Sequence, residues 1–141
     1  METDYKKIIG HEKVIAILDK WPSFHDAEVL SVTLERDERS YIAPPQMKAV
    51  IHAFRLEVSP GDPSRNNCLV SMQFRGIEEL KLADFNNQNA INGISLSTHW
   101  SERLRCEVFN VRFLPGFGLG CEFQCNEIEV LSVQPIAVEG R

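Results

Sequence analysis

Trp21-Pro22-Ser23-Phe24-His25-Asp26-Ala27-Glu28-Val29-Leu30 is where the hydrophobic period of this chain changes from helix to sheet. Upstream of it, Val14, Ile15, Ile17 and Leu18 recur near helical spacing, with Glu12, Lys13, Asp19 and Lys20 on the other side. That pattern predicts an amphipathic helix over about 11–20. Pro22 disfavours helical geometry at Trp21, so the helix should stop there. Downstream, Leu30, Val32 and Leu34 alternate with Ser31, Thr33 and Glu35, as a half-buried strand does. The stretch itself crowds two large aromatics, a proline, an imidazole and two carboxylates together. Trp21, Phe24, His25, Asp26 and Glu28 therefore read as a structural junction that must hold its shape.

The rest of the chain keeps the period of a sheet. Met47 to Val58 predicts a second strand, with Val50, His52, Phe54, Leu56 and Val58 in one phase. The other phase, from Met47 through Ala49, Ile51 and Ala53, is also apolar, so part of this strand is expected to be covered on both faces. Polar or proline-rich loops are expected from Asp37 through Pro45 and over 59–67. Cys68, Val70, Met72 and Phe74 mark a third strand, and Leu80 with Leu82 a short fourth. Ile91, Ile94, Leu96 and Trp100 predict a fifth, irregular at Gly93.

Two phase slips, at Val108–Phe109 and Val130–Leu131, each predict a β-bulge. Pro115-Gly116-Phe117-Gly118 predicts a turn before a strand carrying Leu119, Cys121, Phe123 and Cys125. No helical pattern recurs after Lys20. The expectation is a strand-dominated α+β fold: one N-terminal helix packed on a curved, mostly antiparallel sheet or partly closed barrel. Its strands run from about 28 to 136 in a single β-rich domain of residues 1–141.

Composition narrows the function classes. A hydrophobic share of 43% and a charged share of 25% are those of a globular protein. The net charge of −5 disfavours direct nucleic-acid or anionic-membrane binding, which needs clustered Lys and Arg. It is compatible with a basic partner. No signal peptide or membrane span is legible, so a cytoplasmic location is expected. Oligomeric state is left open by the sequence.

The ionisable residues carry no catalytic or metal-binding signature. Cys68, Cys106, Cys121 and Cys125 lack metal-ligand spacing; on a strand, Cys121 and Cys125 lie roughly 13 Å apart. Core filling accounts for them, with no metal and no cofactor expected. His25, Asp26 and Glu28 are the one acid–base grouping. Asp26 on an extended chain points away from His25, and a bracing role is the more physical reading. Gly116-Phe117-Gly118-Leu119-Gly120 precedes a strand and lacks the helix N-terminus that grips phosphate. Asp84, Asn86, Asn87, Gln88 and Asn89, with Asn92, form either a recognition surface or a turn.

With its preceding helix, the 21–30 segment resembles the N-terminal signature of the immunity protein 50 family of bacterial polymorphic toxin systems. Phe74-Arg75-Gly76-Ile77-Glu78-Glu79-Leu80 and Asp84-Phe85-Asn86-Asn87-Gln88-Asn89 are similar to later parts of that family's pattern. The resemblance spans roughly Val14 to Pro135. It implies an antidote that binds a cognate protein toxin and blocks it without catalysis; it does not name the contacting residues. The amide-rich set Asp84, Asn86, Asn87, Gln88 and Asn89 is the expected partner-binding surface, with loops 37–46 and 59–67 as further acidic or polar ground. The competing reading is a small-ligand binder or hydrolase with a pocket at His25 and Asp26, joined by His52 or His99. A structural subunit is the third, and it requires a large exposed apolar patch.

Overall fold

The computed structural model describes residues 4–36, 44–54 and 67–136. The loop expected at 37–43, the far end of the second strand and most of the Pro/Gly loop lie outside them. A 3-10 turn (Asp4–Lys7) precedes helix α1 (His11–Leu18). Eight strands follow: β1 (Glu28–Glu35), β2 (Gln46–Phe54), β3 (Asn67–Arg75), β4 (Glu78–Ala83), β5 (Ala90–Ser101), β6 (Cys106–Phe117), β7 (Gly120–Cys125) and β8 (Glu127–Pro135). They form one antiparallel sheet in the order β4-β7-β6-β5-β1-β2-β3-β8, which curls without closing. The strand-dominated α+β fold with one N-terminal helix is therefore what the chain adopts.

Two meanders, β1-β2-β3 and β5-β6-β7, account for the middle of the sheet, and β8 and β4 are added at its two edges. The meanders meet along a narrow seam. Between β1 and β5 a single Cα pair is in register, Glu28 with Ala90. Around it, Val29 N–H donates to Asn89 O (3.0 Å), Ile91 N–H to Ala27 O (2.9 Å) and Asp26 N–H to Ile91 O (2.8 Å). The curl lays β3 over β6 and β7, where Phe74 meets Phe123 and Phe113 edge-on at centroid distances of 5.0 and 6.1 Å. Met47, Ala49, Ile51, Val70 and Ile128 fill the space beside them.

The N-terminal segment closes one side. Val14 and Leu18 of α1 are fully buried in the core. Ile9 forms a parallel bridge to Glu129, so the edge of β8 is partly covered, and Lys13 Nζ reaches the Val130 and Leu131 carbonyls at 3.4 Å. Lys7 bonds Glu107 and also Thr98 Oγ1, at 3.2 Å, tying the 3-10 turn to β5 and β6. That bond from Lys7, then one from Thr98, holds the Glu107 carboxyl below its usual range. A depressed carboxylate stabilises the fold above its unfolded pKa, and the contribution vanishes as pH falls through the lowered value. This tie is therefore whole at neutral pH and lost in acid.

Local departures from expectation have local causes. Helix α1 ends at Leu18, earlier than expected, because Asp19 turns left-handed (φ 69°) and its N–H caps Ile15 O. In β1 the buried anchor is Val29, whereas Leu30 and Leu34 are both 50% exposed. The β1–β2 register shifts between Val29 and Ser31, so the residue between them bulges outward. In β2 the deeply buried phase is Met47, Ala49, Ile51 and Ala53, with Val50, His52 and Phe54 only partly covered. The bulge at Leu131 is present, since Ser71 pairs with Ser132 and Met72 with Val130. None occurs at Val108–Phe109, where pairing with β5 is unbroken and both side chains are buried on opposite faces. Pro115, Gly116 and Phe117 belong to β6, and the turn narrows to Gly118 and Leu119.

Candidate interaction site at the seam

The 21–30 stretch supplies the β1 side of the seam. Trp21 stacks on Tyr5 (5.3 Å, 6° between planes) and meets Phe24 edge-on at 5.5 Å. Phe24 is buried beside them. Phe24 and Asp26 are both left-handed, with φ of 64° and 63°, so the chain turns sharply around His25. Ser23 Oγ accepts the His25 N–H at 3.2 Å and stabilises that turn. His25 Nδ1 donates to the Asn92 carbonyl across the seam at 3.1 Å, since a carbonyl can only accept. The Asp26 side chain does not point away from His25: its Oδ2 lies 3.5 Å from His25 Nε2. The extended geometry behind the opposite expectation is absent because Asp26 occupies a turn. Both side chains are exposed, His25 by 48% and Asp26 by 63%.

Loop 84–89 supplies the β5 side, and Asn89 organises it. Asn89 is only 3% exposed and every polar group on it is used. Its N–H donates to the Glu28 carboxylate, and its carbonyl accepts Val29 N–H. In the side chain, Oδ1 accepts Asn86 N–H (2.8 Å) and Leu119 N–H (3.2 Å), while Nδ2 donates to Asn86 O (2.7 Å). Gly118 makes this possible. At φ +86° it lies against the loop, where a Cβ would strike Gln88 O and sit 2.8 Å from Asn89 Oδ1.

Of the residues expected at a partner surface, Asp84, Asn86, Asn87 and Gln88 are exposed on this braced loop, and Asn89 is its buried support. The Asp84 carboxylate and the Asn87 and Gln88 amides have no hydrogen-bond or ion-pair partner among the described residues. Two exposed aromatics border the loop. Phe117, opposite Ala90 at the end of β6, is 67% exposed, and Phe85 lies within the loop. Sequence reasoning missed Phe117 because Pro115 and Gly116 disguise the end of the strand that carries it.

Against this geometry stands one comparison. The family model for immunity protein 50 matches residues 10–136, most of the chain. The chain belongs to that family. No curated protein and no solved structure matches it.

Elsewhere in this immunity protein 50 family member, each histidine is bonded in its own neighbourhood. His52 Nε2 lies 3.0 Å from Asn67 Oδ1, and His99 Nδ1 lies 2.9 Å from Asn110 Nδ2. His11 Nδ1 faces Ile8 O at 3.0 Å. Among the described residues no group of three His, Cys, Asp or Glu is placed to hold a metal ion, and no helix is long and apolar enough to cross a membrane. An open groove runs between β4, β7 and β6, lined by Leu80, Leu82, Arg112, Pro115, Cys121 and Glu122; His25 and Asp26 are not part of it.

Cys68, Cys121 and Cys125 are buried thiols, and Cys106 is partly accessible. Burial pushes Cys68 up to about 11 and Cys125 to about 12; burial and then Glu122 push Cys121 to about 12. When unfolded, these thiols release protons at lower pH than when folded. The unfolded state then binds fewer protons, so stability falls as pH climbs from about 9 towards 12. A thiol reagent at pH 8 should label Cys106 first, with the other three reacting only as fast as the chain opens. Four equal labelling rates in the native protein would contradict this core.

Proposed function

We propose that this protein is the antidote of a bacterial polymorphic toxin system, a single cytoplasmic domain that binds its cognate protein toxin and blocks it without chemistry of its own. Membership of the immunity protein 50 family over residues 10–136 carries this reading. The geometry supports it in kind. The imidazole, carboxylate and amide groups of the seam largely brace the backbone: His25 to Asn92, Glu28 to Asn89, and Asn89 to Asn86 and Leu119. What remains for a partner is a stiff outer surface at loop 84–89.

Inhibition of this kind is stoichiometric. A stable complex buries roughly 1,200–2,000 Å² in total, most of its energy coming from a few central side chains. A surface ordered before binding loses little conformational freedom on docking, which favours slow dissociation. The acidity of the chain further favours a basic toxin by raising the encounter rate.

The test is co-expression with candidate toxin domains drawn from the neighbourhood of this gene. Restored growth and a stoichiometric complex on size-exclusion chromatography are the expected results. His25→Gln should leave both unchanged within about threefold, an energy difference below 1 kcal/mol. Loss of protection with complex formation intact would point to chemistry at His25 and sink the blocking mechanism.

A further inference from the structure

The exposed groups around loop 84–89 are of three kinds. Phe117 presents an aromatic ring two-thirds exposed at the end of β6. Asp84 presents a carboxylate without a cationic partner among the described residues. Asn87 and Gln88 present amides with unused acceptor oxygens. The backbone segments that carry these groups adjoin: at Gly118, the residue after Phe117, an ideal Cβ lies 3.2 Å from the Asp84 carbonyl and in collision with that of Gln88. Asp26 adds a second carboxylate on the β1 side of the same seam, bonded through its own N–H to Ile91. Several other surface carboxylates are already neutralised: Glu107 by Lys7, Glu78 by Arg103, Glu122 by Lys81 and Arg112, and Glu127 by Arg75.

An exposed aromatic ring, an unpaired carboxylate and free amide oxygens carried on adjoining backbone suit a guanidinium. A guanidinium is planar and stacks on aromatic rings, and its donors match a carboxylate in a fork. We propose that this surface is an arginine receptor: a partner arginine stacks on Phe117 and donates to Asp84 and to the Gln88 or Asn87 amide oxygen. The proposal deepens the antidote reading and rests on it for the identity of the partner, a basic segment of the toxin. Binding there costs little ordering, because Asn89 and Gly118 already fix the loop.

Two measurements test it separately from the function. In the first, the complex with the toxin domain found by that co-expression is titrated by calorimetry. Phe117→Ser should weaken it about 30-fold, as central aromatic contacts do. Asp84→Asn should weaken it about tenfold and flatten its salt dependence, whereas Phe117→Tyr should retain affinity. Thermal unfolding of the three variants, all altered at exposed positions, verifies that each is folded. Unchanged affinity in both Phe117→Ser and Asp84→Asn overturns the proposal while leaving the antidote function standing.

In the second, the isolated protein is followed by amide NMR during titration with arginine amide and, in parallel, lysine amide. Arginine should move the Asp84, Gln88 and Phe117 signals most, with lysine weaker. Shifts confined to other residues would refute the receptor. Arginine-specific shifts at these residues without any toxin complex would retain the receptor and overturn the antidote reading.

Discussion

Phe74→Ala should lower the free energy of unfolding by about 4 kcal/mol, the usual cost of emptying a packed aromatic position. Phe74 is 1% exposed on β3 and bridges the two meanders through edge-on contacts with Phe113 and Phe123. The seam pairs the same meanders through a single Cα pair in register, so their face-to-face packing depends heavily on the shared core in which these rings sit. The vacated space is walled by rings that cannot collapse together without moving three strands, which places the substitution at the costly end of the range. Urea denaturation followed by tryptophan fluorescence reads the loss, and the midpoint of thermal unfolding should drop on the order of 15 °C. Phe74→Leu refills much of the volume and should recover a large part of it. A cost below about 1 kcal/mol would mean that β3 does not pack on β6 and β7.

Asn89→Ala should cost about 3 kcal/mol, because it strips three side-chain hydrogen bonds from a buried site and leaves the Leu119 N–H without its acceptor. Asn89→Asp keeps an oxygen for Asn86 and Leu119 but sets a second oxygen against Asn86 O, so it should not rescue stability at neutral pH. Gly118→Ala attacks the same support from the other side, through a Cβ that meets the loop and a left-handed φ of +86°. Alone it should cost about 2–3 kcal/mol from backbone strain and collision. Once either change has released the loop, the other has less to break, so the double variant should fall short of the sum by at least about 1 kcal/mol. Strict additivity would show that Asn89 and Gly118 act on separate structures. Hydrogen exchange at Asn86 and Leu119 should rise sharply in both single variants while the β2 and β3 amides stay protected.

Much of the fold was legible because alternation reports burial directly. Cys68 to Phe74 reads as a strand and is one, with Cys68, Val70, Met72 and Phe74 all buried. The phase break at Leu131 likewise matched a real bulge, since the extra residue shifts side chains on the strand that carries it. Leu30 was misread for the complementary reason: its bulge is set by pairing with β2 and leaves no mark within a pattern that already alternates. Val108 and Phe109 mimic a slip because both faces of β6 are covered there, and local sequence does not report coverage from elsewhere in the chain.

The candidate site divides along the same line. Crowding at 21–30 coincides with a sharp turn around His25, and the amides of 84–89 lie on a loop. That the two lie against each other depends on Asn89 bonding Glu28 over 61 residues of chain. The role of Gly118 beneath that loop and the exposure of Phe117 beside it are likewise products of tertiary packing, invisible to spacing or composition.

The bridge between Ile9 and Glu129 carries a consequence for synthesis. Helix α1 leaves the ribosome before the described strands, but the strand it seals is made after the other seven. The strands between them can begin to pair as they emerge, as local hairpins do, while the apolar stripe of Val14 and Leu18 waits for its cover. During that interval the nascent chain displays exposed aliphatic surface and becomes a natural client for chaperones. Translation that stalls short of β8 should release an aggregation-prone fragment in place of a smaller working protein.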